Sequence, residues 1–386
     1  MRVGLTSALG LYDLYCNGPR IGDAFFQPGW SDYLQRAYYR AHDVTALVRS
    51  GGANALGAVV AEGWYSGYVG YALLVGYGPN KVGRYFYGKT PAFRAQLEID
   101  YADGTHETVI TDESWRVTDR GPTREADLIM GESYDARAEL GAWSAAGYDA
   151  KNWPAAVRAE TNPRAPAVYS DAAGARNVDL GFVAPPKMQA YSAPPIRVTQ
   201  ELAAKSVTEP KPGAYVFDLG QNFAGIVRLK IKGAAGTTVR LRFGEMRHQD
   251  RTIMTENLRK ARATDFYTLR GDADAETWQS RFTYHGFQFV EQTGLPDKPA
   301  LDAVTGLVLS NDTAATSDFA CSDPVMTQFW KNTVRTQRAN FIELPTDCPQ
   351  RDERLGWMGD AQIYARTASY NADVAAFCLR QTRYRY

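Results

Sequence analysis

A surplus of charge of either sign is missing from this sequence: 43 Lys and Arg balance 43 Asp and Glu, for a formal net charge of zero. Without a net field, neither nucleic acid nor an anionic membrane surface is expected as a partner. Cysteine is scarce too. Cys16, Cys321, Cys348 and Cys378 stand far apart with no CxxC pair, which argues against a structural zinc or a disulfide-stapled domain. The four histidines, His42, His106, His248 and His285, form no HExxH, so a catalytic zinc has little support. Asp127, Glu132 and Asp135 read as turn and strand-edge residues rather than calcium ligands. No metal and no cofactor is therefore expected. No apolar run approaches the roughly 18 residues of a membrane span. Walker and Rossmann fingerprints are absent, and in Gly63–Gly67 the serine, Ser66, comes one place too late for a GxSxG elbow. The opening MRVGLTSALGLYDLY alternates like a strand and lacks the form of a signal peptide, which favours the cytoplasm.

What is abundant is aromatic side chain, 12% of the residues with 23 Tyr and 8 Trp. Aromatic faces stack on the apolar faces of sugar rings, but β-rich cores are aromatic as well, and composition alone leaves both readings open. The length of 386 residues suits two or three domains of about 100–200 residues each.

Up to about Pro154 the pattern is strands and turns. Phe93, Ala95, Leu97, Ile99 and Tyr101 alternate with polar residues, and Asp103-Gly104 turns the chain toward Val109, a hairpin signal. A short helical possibility lies near Asp43–Leu47. The stretch from about 155 to 195, with Pro163, Pro166, Pro185, Pro186, Pro194 and Pro195, reads as an extended connection. A second strand-rich block follows. Val227, Leu229 and Ile231 alternate with Arg228, Lys230 and Lys232, and Val239, Leu241 and Phe243 alternate with Arg240 and Arg242. Then the period changes from two to that of a helix. Ser322-Asp323-Pro324 is a helix start, followed by Met326, Phe329, Trp330 and Val334 at helical spacing. Two further helices are predicted over Asp360–Asn371 and Asp373–Arg380. These few helices cannot bury their apolar faces alone; they need the sheets or further helices to dock on.

Between the helices runs TDCPQRDERLGWMGDAQ, residues 346–362, with four carboxylates, two arginines and a tryptophan. Glycoside hydrolysis needs one protonated carboxyl for the leaving oxygen and a second carboxylate to activate water. Arg351 and Arg354 are candidates to anchor neighbouring carboxylates, and Asp360 stands at a helix N-terminus, where a carboxylate is also simply a good cap. Charged loops between helices are usually solvated ion-pair networks. A Trp beside glycines and an Asp-Cys-Pro turn are not what such a network requires.

The segment DCPQRDERLGWMGDAQ resembles the signature of bacterial α-L-rhamnosidases of glycoside hydrolase family 78. Further motifs resemble the same family in the same order: Ala8–Tyr12 with Asn17-Gly18, Pro28–Tyr33, Glu62–Tyr65, Gly131–Arg137, Phe217–Gly225 and Phe282–Phe287. The resemblance implies a mostly β, multi-domain chain: two β-sandwich domains followed by the first helices of an (α/α)6 barrel. Its expected divisions are an N-terminal β-sandwich over 1–165, a concanavalin-like sandwich over 185–310 and a truncated start of the six-hairpin catalytic domain over 313–386.

The activity implied is inverting hydrolysis of terminal α-L-rhamnosyl residues in rhamnose-containing glycosides or oligosaccharides. By position, Glu353 corresponds to the general acid, and Asp347, Arg351, Trp357 and Asp360 to the residues that hold the sugar. Counting forward from Asp347 in members one residue shorter gives Asp352 instead, whereas counting back from Asp360 gives Glu353. The family's general base is a glutamate expected beyond position 386. A chain without it is an incomplete enzyme or an inactive fragment; the competing class is a non-catalytic, lectin-like carbohydrate-binding protein. Replacement of Glu353 by Gln separates these readings.

Overall fold

The computed structural model describes residues 2–70, 83–159, 167–171, 174–178 and 187–382. Of the prolines in the expected connection, Pro163, Pro166, Pro185 and Pro186 lie outside them. The chain divides into two compact units, one of Met1–Tyr68, Ala72–Pro122 and Ala138–Tyr191, the other of Val69–Tyr71, Thr123–Arg137 and Ser192–Tyr386.

In the first unit, β1 (Arg2–Leu9), β2 (Leu11–Cys16), β3 (Arg36–Asp43), β4 (Leu56–Ala61), β5 (Ala92–Asp100) and β6 (His106–Ile110) precede the two strands that pass to the second unit, β7 (Thr123–Asp127) and β8 (Gly131–Asp135). A small hairpin, β9 (Ala167–Asp171) and β10 (Gly174–Val178), and β11 (Lys187–Ala190) complete it. The main sheet has the order β11-β3-β1-β5-β6, with β2 paired to β4 apart from it. The expected β5–β6 hairpin forms in antiparallel register, Gln96 opposite Ile110 and Asp100 opposite His106. Its turn places Gly104 at φ +83°, and the Asp103 carboxylate accepts the Thr105 N–H at 2.9 Å. Ala8, Tyr12, Leu14, Cys16, Ile21 and Val44 form the core. At Val44–Leu47 the structure has a single turn and no helix, with the N–H groups of Leu47 and Val48 both on the Val44 carbonyl. A short helix the alternation did not signal, α1 (Gly63–Ser66), stacks Trp64 on Trp30 with ring centroids 5.6 Å apart.

The second unit is built on a ten-stranded sheet. Its further strands are β12 (Ile196–Ala203), β13 (Ser206–Lys211), β14 (Ala214–Ile231), β15 (Thr238–Gly244), the short pair β16 (Met246–Arg247) and β17 (Ile253–Met254), β18 (Thr264–Thr268), β19 (Glu276–Gln279), β20 (His285–Thr293) and β21 (Val304–Asn311). The order is β12-β21-β14-β20-β15-β18-β8-β7, with β13 and β19 also on β14. The period-two pattern works as expected. Val227, Leu229, Ile231, Val239, Leu241 and Phe243 are buried in one core with Phe217, Phe223, Phe287 and Val304. The arginines between them find carboxylates, Arg228 on Glu201 at 2.7 Å and Arg242 on Glu291 at 3.2 Å.

The helices follow as α2 (Pro324–Asn340), α3 (Met358–Asn371) and α4 (Ala375–Thr382). Asp323 caps α2 by accepting the Val325 N–H at 2.8 Å, with Pro324 in the first turn. Phe341, Ala368, Ala372, Val374 and Phe377 make a small core in which the rings of Phe341 and Phe377 stack at 4.4 Å. The chain is thus two β-sandwich domains followed by the first helices of an (α/α)6 barrel.

Candidate active-site loop

The segment between α2 and α3 is a loop closed at its neck. Two short strands, β22 (Phe341–Ile342) and β23 (Leu344–Pro345), fold back on each other, and Thr346 bridges Gly356. The Trp357 N–H donates to the Pro345 carbonyl at 3.3 Å, so residues 347–355 form a compact loop with adjacent ends. Below the neck, the carboxylate of Glu343 pairs with Arg380 of α4, both side chains fully buried, and its amide donates to Asn311 Oδ1 at 2.7 Å.

All five residues singled out by the motif lie on this loop or at the start of α3. Glu353 is fully buried. One carboxyl oxygen accepts the Leu355 N–H at 3.0 Å and the indole N–H of Trp357; the other accepts the Cys348 thiol at 3.2 Å. Asp347 is half-exposed and takes the Arg351 guanidinium at 2.6 Å. Trp357, 38% exposed, presents a ring to solvent while its N–H is engaged below. Asp360 is exposed in the first turn of α3. The structure therefore pairs Asp347 with Arg351 and Glu353 with Trp357, brings the Asp347 and Glu353 carboxyl oxygens within 4.8 Å of each other, and leaves Asp360 one helical turn beyond Trp357.

The neighbouring carboxyl, Asp352, is also fully buried but faces different surroundings. The Arg259 guanidinium lies 4.0 Å from it. Burial holds its carboxyl above the usual carboxylate range, against the opposing pull of Arg259. Arg354 differs from expectation. Arg351 does pair with a carboxylate, whereas Arg354, also buried, donates to two main-chain carbonyls, those of Leu128 and Tyr284, the latter at 2.7 Å. Its guanidinium lies 4.5 Å from the centre of the Tyr284 ring. Periodicity in the sequence carries no trace of such a partner, because Leu128 is over two hundred residues away.

Asp347, Cys348 and Glu353 bring their ligand atoms within 4.8 Å of one another. The thiol is pushed up by burial and by the Glu353 carboxylate, and Arg351 already neutralises Asp347. A soft cation would have to displace the thiol proton and the arginine, so this set is a hydrogen-bonded cluster first. All four cysteines are free thiols. Ser66, one place too late for a nucleophile elbow, is fully buried.

Beneath the loop sits a polar cluster that includes Glu132, read from the sequence as a turn or strand-edge residue. Glu132 of β8 is buried, and one carboxyl oxygen accepts the N–H groups of Arg281 and Phe282, both at 2.9 Å. Burial pushes its carboxyl up to about 8, the two N–H donors oppose that shift, and nearby Asp265 adds to it. The Glu132 amide donates to Asp265 Oδ1 at 2.9 Å, and the same oxygen meets His285 Nε2 at 2.9 Å. Burial lowers the His285 pKa, so the ring is neutral and donates through Nε2. That ring lies flat on Phe243, with centroids 4.1 Å apart. Asp127 and Asp135 have turn roles: Asp127 accepts the Ile129 and Met130 N–H groups, and Asp135 pairs with Arg137. The Gly131–Arg137 and Phe282–Phe287 motifs were the available signal, but nothing in them indicated that they meet.

The bacterial α-L-rhamnosidase N-terminal domain matches residues 4–200, the concanavalin-like domain residues 208–310 and the six-hairpin glycosidase domain residues 314–383. An α-L-rhamnosidase of Streptomyces avermitilis is 45% identical over 371 residues, 96% of this chain and 33% of that protein. One from Formosa agariphila is 34% identical over 373 residues, 96% of this chain and 37% of that protein. Among solved structures, the S. avermitilis α-L-rhamnosidase complexed with L-rhamnose superposes with a TM-score of 0.86 at 44% identity, covering 98% of this chain and 34% of that one. The α-L-rhamnosidase from Dictyoglumus thermophilum gives 0.84 at 33% identity, covering 97% and 38%. The chain spans about a third of the length of these relatives. With one family model alone covering more than half of the residues and the other two following in order, this chain belongs to the bacterial α-L-rhamnosidase family.

Proposed function

We propose that this chain is the acid-bearing part of an inverting α-L-rhamnosidase that releases terminal L-rhamnose from glycosides, with Glu353 as the general acid. The observation that carries this reading is the loop around Glu353. Its carboxyl is withdrawn from solvent, tied to the indole of a half-exposed Trp357, and within 4.8 Å of the Asp347 carboxylate. Asp352, held against Arg259 and outside that cluster, is the weaker candidate. Trp357 supplies a plate for the apolar face of a deoxy-sugar, and Asp347, Arg351 and Asp360 supply acceptors and donors for its hydroxyls.

The second carboxylate of the reaction is not Asp347. Inverting pairs stand ~6.5–9.5 Å apart to admit water, and Asp347 is closer than that and neutralised by Arg351. We place the general base outside these residues. Val325, Phe329, Ile363 and Leu379, each more than 60% exposed on α2, α3 and α4, suit packing against further helices, in keeping with relatives about three times as long.

The test is release of a chromophoric aglycone from an aryl α-L-rhamnoside, with binding of free L-rhamnose read by Trp357 fluorescence, in the parent and in Glu353→Gln. With the residues that supply the general base present, turnover in the parent and none in Glu353→Gln is the expected result. L-rhamnose binding unaffected by Glu353→Gln, without turnover in either, would replace the hydrolase reading with a binding one.

A further inference from the structure

The acid loop carries two contacts to the β-sheet of the second unit that no substrate-facing role explains. The first is Arg354, the residue next to Glu353. Its side chain is buried and points at main-chain oxygens of Leu128, just before β8, and of Tyr284, just before β20, while its guanidinium covers the Tyr284 ring. Its backbone sits at φ +51°, a region that side-chain-bearing residues rarely adopt, and which the surrounding contacts must hold in place. The second contact is at Gly286. A methyl group there would come within 2.9 Å of Pro349 Cγ and of Gln350 N and Cβ, so the loop rests directly on the glycine backbone of β20.

The seat is itself fixed from below. Glu132 holds the N–H groups of Arg281 and Phe282, and His285 is locked between Asp265 and Phe243. Residues 281–287 are therefore pinned on one side by the cluster and bear the loop on the other.

We propose that Arg354 and Gly286 are positioning residues for the general acid: they seat the 347–355 loop on β20 and so keep the Glu353 carboxyl facing Trp357 and Cys348. This rests on the reading of Glu353 as the acid, but the seating itself is testable without turnover. Because Cys348 donates its thiol hydrogen to Glu353 and is buried in the closed loop, its alkylation rate reports how often the loop leaves its seat. Cys16, buried in the other unit, serves as an internal control for global unfolding.

The experiment compares the parent with Arg354→Met, Arg354→Lys and Gly286→Ala. Cys348 and Cys16 alkylation by iodoacetamide is followed by peptide mass spectrometry, beside kcat and KM on an aryl α-L-rhamnoside. Losing two charge-assisted hydrogen bonds in Arg354→Met should raise the Cys348 rate at least about tenfold with Cys16 unchanged. Arg354→Lys, which keeps the cation, should recover part of the protection, and Gly286→Ala should behave like Arg354→Met. Where turnover is measured, the loss should fall on kcat with KM held.

Cys348 rates within about twofold of the parent in both Arg354→Met and Gly286→Ala would overturn the proposal. If Arg354→Met also exposes Cys16, it has unfolded, and Arg354→Lys and Gly286→Ala decide. Full turnover in Glu353→Gln would remove the acid assignment, and the alkylation rates would still decide whether Arg354 and Gly286 seat the loop.

Discussion

Replacing Glu132 by Gln takes one ionisable group out of the cluster beneath the acid loop and preserves its shape. The oxygen that accepts the Arg281 and Phe282 N–H groups is kept, because an amide carbonyl can accept both. Burial raises the carboxyl from 4.5 to about 8. The folded chain then retains a proton that the unfolded chain loses, so this group's contribution to stability is full below about pH 4.5 and is lost as pH rises through about 8. His285 has the opposite sense. Its pKa is lowered by burial, so its contribution is present above 6.5 and lost as pH falls below that. Between pH 6.5 and 8 the His285 contribution is nearly complete and Glu132 accounts for most of the change from the two groups. Over that window one proton amounts to about 2 kcal/mol, or about 4–8 °C in melting temperature for a unit of this size. Thermal melts of the parent and Glu132→Gln at pH 6.5, 7, 7.5 and 8 should diverge by that amount, the variant gaining on the parent as pH rises. Parallel pH dependences would show that Glu132 is already ionised in the fold, and the argument from burial would be wrong.

Other consequences are as direct. Arg380→Met removes the cation paired with the fully buried Glu343 carboxylate and should destabilise the second unit by about 3–5 kcal/mol in chemical denaturation, with much of the loss recovered by adding Glu343→Leu. Gly225→Ala drives a methyl group to 2.0 Å from the Leu307 carbonyl, a backbone atom with no freedom to move, and should lower stability by about 3 kcal/mol in the same assay.

Much of this molecule was legible before any tertiary contact was known. Val227, Leu229 and Ile231 had to face one way and Arg228 and Lys230 the other, because a strand sends successive side chains to opposite faces. Asp103-Gly104 had to turn the β5–β6 hairpin, and Asp323-Pro324 had to begin α2, because the capping carboxylate and the missing proline N–H act within one turn. The charged loop at 346–362 was visible as composition and as a family motif.

What only the tertiary structure decided is which distant groups meet. β7 and β8 lie early in the chain, among the strands of the first block, yet β8 pairs in parallel with β18 of the second unit. Glu132 looked like a strand-edge residue and is instead buried against Asp265 and the 281–282 backbone. Arg354 looked like a partner for a carboxylate and instead serves two carbonyls on separate segments. Local pattern reports which face a side chain takes, since it reflects the geometry of a few neighbouring residues. The partner of a buried polar group depends on which segments the chain brings back from far away, and no periodicity records that.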